Sequence, residues 1–131
     1  MELTIELRML VYTGLLGFIT SFIYLGGRMM TKGGMAWGIG NRDQAIEFPA
    51  WAERAQRAHA NFTENLAPFA ILVVVAHLIG VHNDLTALGA RMFFWARVGH
   101  IVVYTVGIPY LRTLVFFAGT AGEIIILLQI L

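Results

Sequence analysis

The chain has 131 residues, of which 58% are hydrophobic and only 13% charged, with a formal net charge of +1. A soluble domain carries about a quarter charged residues, so the composition excludes an ordinary soluble globule, and the lack of a basic tract argues against a nucleic-acid partner. There is no cysteine, which excludes disulfides and cysteine metal sites and means that any thiol chemistry must come from a ligand.

Taken in chain order, the apolar residues fall into four long blocks. The first span is expected over 7–30. Glu2 and Glu6 stand where a signal peptide has basic residues, and the apolar run from Met9 to Leu25 has no small-residue exit; it reads as a retained span. A Gly-rich polar loop, 31–48, follows with Lys32, Arg42, Asp43 and Glu47. The second span is expected over 49–79, opening at Pro49, a residue suited to a first helical turn. His82-Asn83-Asp84 makes a short turn into a third span over 86–106. Gly107-Ile108-Pro109 breaks that helix, and a fourth span covers 110–131. Each is long enough to cross a bilayer at 1.5 Å per residue. The expected fold is therefore all-α, a single integral membrane domain over 1–131 built as a four-helix up-down-up-down bundle. Arg28, Lys32, Arg42, Arg54, Arg57 and Arg112 lie at one end, against Arg8 and Arg91 at the other. The excess of basic residues places the first loop and third turn in the cytoplasm and both termini outside.

The polar residues inside these spans carry the functional signal, because ionisable groups at membrane depth are costly and mark pathways or sites. Arg57, Asn61 and Glu64 share one helical face by spacing, as do Arg97, His100 and Tyr104. Alternating helix direction brings Arg57, Asn61, Tyr104 and Arg112 to one mouth. Glu64 and Arg97 lie deeper, where an ion pair between them is the expected resolution. Plainer readings stand beside these. Arg57 is also readable as a snorkelling interfacial charge, Arg54 as a solvated one, Tyr104 as part of an aromatic belt, and His59 and His100 as packing histidines. Glu123 has no evident local partner. The histidines have no metal-ligand spacing, Gly38-Ile39-Gly40 is not a dinucleotide fingerprint, and Asn61-Phe62-Thr63 is a sequon on a membrane helix rather than a surface loop.

The stretch Glu53-Arg54-Ala55-Gln56-Arg57-Ala58-His59-Ala60-Asn61-Phe62-Thr63-Glu64-Asn65, followed by Pro68-Phe69, resembles the signature of the MAPEG family, membrane-associated proteins in eicosanoid and glutathione metabolism. Arg97-Val98-Gly99-His100, Tyr104, Pro109 and Arg112-Thr113 resemble its second signature block. The resemblance implies a homotrimer that binds glutathione between subunits near the cytoplasmic mouth, and a bacterial inner-membrane member rather than a microsomal one. It also implies that Arg28, Arg57, Asn61, Glu64, His100, Tyr104, Arg112 and Thr113 contact glutathione, with Arg112 activating the thiol and Tyr104 as a further hydroxyl donor. A guanidinium beside a thiol stabilises the thiolate, which would attack a lipophilic electrophile or peroxide arriving from the bilayer. Ala60, Phe116 and Thr113 depart from the arginine, tyrosine and serine of some relatives. The implied activity is that of a glutathione S-transferase, with peroxidase chemistry as an extension. A non-catalytic lipid- or ligand-binding protein of the same fold is the alternative, and a small ion-coupled transporter component a third reading.

Overall fold

A computed structural model describes residues 2–131. Helix α1 (Ile5–Met29) starts where the Thr4 hydroxyl accepts from the Leu7 amide at 3.3 Å. The first loop contains a six-residue helix, α2 (Gly34–Ile39), which the Gly-rich composition did not reveal. Helix α3 (Ala50–Leu78) follows Pro49. Helix α4 (Asp84–Val106) is started by a capping box: Asn83 Oδ1 accepts from the amides of Leu85 and Thr86, and the Thr86 hydroxyl accepts from the Asn83 amide. Gly107, at φ 98°, takes the left-handed conformation that ends α4, and Pro109 opens α5 (Pro109–Ile130). The four long helices match the expected spans to within about two residues, the usual uncertainty of helix ends. Among the described residues there is no strand.

α1, α3 and α4 pack on one another, and α5 lies alongside α4 with lesser packing on α3 and none on α1. The protomer is thus three mutually packed helices with a fourth on one flank, rather than a closed square bundle. The α4–α5 seam is tight because small residues face each other: a Cβ at Gly122 would come within 2.5 Å of the Gly89 carbonyl oxygen, and one at Gly89 equally close to that of Gly122. Without an apolar–aqueous driving force between helices, such close backbone approach is a main source of association in lipid. Next to the seam, Phe69 of α3 stacks on Phe93 of α4 with ring centroids 3.9 Å apart, surrounded by Val73, Ala76, Ala90 and Ile126.

Large apolar side chains are turned outward along every long helix, among them Phe18 and Phe22 of α1, Ile71 of α3, Trp95 of α4 and Leu128 of α5. An apolar surface of this extent marks a membrane or partner interface. α1, α3 and α5 are each long and apolar enough to cross a membrane. α4 falls outside that group, and it carries Arg91, Arg97 and His100 along its length. The chain is consistent with a membrane helical bundle.

The Candidate functional site

One end of the molecule, here called the mouth, is where α1 and α4 end and α3 and α5 begin. Asn61 of α3, His100 and Tyr104 of α4, and Arg112, Thr113, Phe116 and Phe117 of α5 line a cavity there of about 300 Å³. The tight Gly107–Pro109 connection explains why the last turn of α4 meets the first turn of α5. It sets the Arg112 guanidinium over the Tyr104 ring, 4.6 Å from the centroid. Such a cation–π contact fixes the direction of an otherwise flexible side chain. The N-terminus of α5 has no side-chain cap, so its free amides and helix dipole add positive potential beside Arg112. The Thr113 hydroxyl is engaged with the Pro109 carbonyl at 3.3 Å.

His100 is almost fully buried, with its ring edge-on to Tyr104 (centroids 5.5 Å) and tilted against Phe116 (6.2 Å). Its Nδ1 has no hydrogen-bond partner among the described residues. Arg97, 0% exposed, lies behind the cavity wall. Its Nη1 donates to Asn61 Oδ1 at 3.1 Å, and its guanidinium is held between the rings of Phe93 and Phe116, 5.1 Å from each centroid. Gly119 provides the room, since a Cβ there would lie 3.1 Å from Arg97 Nη2.

The expected Glu64–Arg97 pair does not form within the protomer. Glu64 is exposed, and Arg97 binds Asn61 instead. The reason is rotational: residues three apart differ by about 300° around a helix, so with Asn61 aimed at Arg97, Glu64 is turned about 60° away. Arg57 is likewise exposed on the outer side of α3. Arg28 belongs to a different cluster, facing Glu53 at 3.8 Å, donating to Gln56, and enclosed by the rings of Tyr24, Trp37 and Phe48. His59 is a packing histidine, its Nδ1 2.9 Å from the Thr20 hydroxyl of α1.

Of the residues singled out from sequence, the protomer therefore brings Asn61, His100, Tyr104, Arg112 and Thr113 to one cavity, and leaves Arg28, Arg57 and Glu64 away from it. Sequence reasoning missed Phe117 as a wall residue, treated Phe116 only as a departure, and did not see Gly119. The i, i+4 spacing of Arg112 and Phe116, which puts them on one face of α5, was the available signal. Among the described residues no cluster of His, Asp or Glu is arranged to hold a metal ion.

The cavity combines one cationic group, two hydroxyls, an amide and an imidazole with an aromatic wall, and a second guanidinium, that of Arg97, lies behind it. That donor set suits a small anionic ligand with an apolar reaction partner. The chain is 37% identical over 68 residues to microsomal glutathione S-transferase 1 of Homo sapiens, a match covering 51% of this chain and 44% of that protein. It is 30% identical over 104 residues to the Rattus norvegicus protein of the same name, covering 76% of this chain and 67% of the relative. With the Mus musculus protein, identity is 33% over 86 residues, 63% of this chain and 56% of the relative. The matched stretches of the human and mouse relatives are thus about half of their lengths. The sequence profile of the MAPEG family matches residues 9–131, nearly the whole chain, with both signature blocks inside it; the chain belongs to the MAPEG family.

Proposed function

We propose that this protein is a membrane glutathione S-transferase whose mouth cavity holds the thiol of glutathione. The observation that carries the reading is the convergence of Asn61, His100, Tyr104, Arg112 and Thr113 from three helices on one cavity. Arg112 is its centre. A free cysteine thiol has a pKa near 8.5, so little of it is thiolate at neutral pH. The Arg112 guanidinium and the uncapped start of α5 both favour the anion. The thiol proton leaves to solvent, the thiolate sulfur forms a bond to an electrophilic carbon, and the carbon–leaving-group bond breaks with its electron pair departing on the leaving group. Tyr104 is the hydroxyl donor to the sulfur. Phe116 and Phe117 form the apolar wall past which a lipophilic substrate would arrive from the bilayer. With a hydroperoxide the same thiolate would attack the terminal oxygen while the O–O bond breaks and its electron pair leaves on the alkoxide, which takes a proton; a second glutathione would then displace water from the resulting sulfenic acid to give the disulfide, which is the peroxidase extension.

In this proposal the protein works as a homotrimer of four-span protomers in a bacterial inner membrane, with the mouth facing the cytoplasm. What supports the trimer is that α5 lies on one flank without closing against α1, and that Arg57 and Glu64 sit exposed on a helix of membrane-spanning length. Arg28, Arg57 and Glu64, away from the cavity in one protomer, are assigned here to the neighbouring subunit's half of the glutathione site.

Calorimetric titration of the purified protein with glutathione in detergent tests the ligand, and conjugation of a chlorinated nitrobenzene tests the reaction. Saturable binding and turnover are expected. Absence of both across several electrophiles would overturn the reading. It would favour a non-catalytic lipid- or ligand-binding protein, for which the relevant feature is an apolar groove of about 230 Å³ between α1, α3 and α4, lined by Ile23, Ile101, Val102 and Val106.

A further inference from the structure

Arg97 poses a charge problem that its contacts do not solve. It is fully buried and sits nine residues from the end of α4, roughly 14 Å along the helix axis. A guanidinium cannot shed its proton in a protein, and an uncompensated charge at that depth is expensive. Its one hydrogen bond is to a neutral amide, and Nε and Nη2 have no partner. Glu64 does not serve as the counter-charge, because it is exposed.

Glu123 is placed to do so. On α5 the residue against Arg97 is Gly119, whose backbone position lies within a Cβ's contact distance of both Nη2 and Nε. Glu123 is one turn further along the same face of α5. Its Oε1 is buried without a hydrogen-bond partner, so one acceptor and two donors are left over on adjacent helices. The two side chains are not in direct ion-pair contact, since only Arg28 and Glu53 come within that distance among the described residues. A through-space or water-bridged pair is still effective where the surroundings are apolar.

The consequence reaches the cavity through Asn61. Arginine can only donate, so the Asn61 branch facing Arg97 must be its carbonyl oxygen. The other branch, Nδ2, makes no hydrogen bond among the described residues, and Asn61 lines the cavity. We propose that Glu123 is the intramembrane counter-charge of Arg97, and that this pair fixes Asn61 so that its NH₂ group, a donor, is presented to a carbonyl or carboxylate oxygen of the bound peptide. Glu123 is a positioning residue in this scheme, acting through Arg97. Its effect on ligand affinity rests on the glutathione reading; the pair and the amide orientation do not.

The test uses the full-length protein in detergent and the isosteric variant Glu123→Gln. Infrared difference spectra of parent against variant, with ¹³C-labelled glutamate, read the charge directly: a lost carboxylate band is expected, and a lost protonated-carboxyl band would overturn the pair. The side-chain ¹⁵N resonance of Asn61 is expected to shift in Glu123→Gln, and no shift would overturn the positioning. Glutathione affinity in Glu123→Gln is expected to fall about tenfold, the scale of one well-made hydrogen bond. The charge-neutral double variant Arg97→Met with Glu123→Gln is expected to regain thermal stability but not affinity, whereas a purely structural role would restore both. If the parent binds no glutathione, the proposed function fails, and the infrared and amide signals still decide the pair.

Discussion

The two ends of this molecule differ in how far their polar groups satisfy one another. At the end bearing the termini, polar atoms mostly close on one another, with His77 Nδ1 of α3 the exception that the described residues leave buried and unpartnered. Asn83 and Thr86 complete the capping box of α4, the Thr86 hydroxyl also donates to the buried carboxylate of Glu6 on α1, and Asn83 Nδ2 donates to Gln129 of α5 at 3.1 Å. At the mouth, polar atoms are left open. His100 Nδ1, Arg97 Nε and Nη2, and Arg28 Nε are buried without partners, and α3 and α5 start without side-chain caps. Buried polar groups are almost always satisfied, and the larger number of open ones at the mouth is what the proposed ligand site would account for. The end bearing the termini holds the helices together; the mouth is the end to which the proposed function assigns the ligand and a neighbouring subunit.

The contrast is broken or sharpened by substitutions on each side. The largest effect is expected for Gly122→Val. Its side chain would press on the α4 backbone, which has nowhere to move, and overpacking of this kind costs at least about 1–3 kcal/mol. Detergent-resistant folding, followed by thermal unfolding, should collapse. Arg112→Ala at the mouth should do the reverse, lowering glutathione-dependent turnover about 100-fold, the scale seen when a preorganised electrostatic group is removed, while thermal unfolding stays near the parent's. Thr86→Val should leave the Glu6 carboxylate buried and unpaired, at a cost of about 1–3 kcal/mol, with turnover per folded molecule unchanged. Asn83→Ala, which removes the α4 cap, should cost about 1 kcal/mol, again with turnover unchanged. If the closed-end variants lost turnover in proportion to the mouth variant, the separation of roles between the ends would be wrong.

Much of this was legible in the amino-acid sequence, and the parts that were not have identifiable causes. The long helices were readable because apolar blocks interrupted by His82-Asn83-Asp84 and Gly107-Ile108-Pro109 leave few choices for where a helix stops. The convergence of Asn61, Tyr104 and Arg112 was readable because helix direction and rise fix depth. Rotation about the helix axis was not, and that is why Glu64 was matched to Arg97 when Asn61 faces it instead. α2 was missed because Gly34-Met35-Ala36-Trp37-Gly38-Ile39 has poor intrinsic helix propensity; Trp37, which packs on Phe48 and donates to the Gln44 carbonyl at 2.7 Å, anchors it through tertiary contacts. The place of Glu123 required knowing that Gly119 of α5 faces Arg97, a pairing set by the Gly89–Gly122 seam rather than by any local motif.

The ultraviolet absorbance of bound thiolate, followed at neutral pH as glutathione is titrated into the purified protein and into Arg112→Ala, bears most directly on the role assigned to the mouth. A saturable thiolate signal in the parent that is lost in Arg112→Ala is the expected result. Saturable binding that generates no thiolate, or a thiolate signal undiminished in Arg112→Ala, would contradict it.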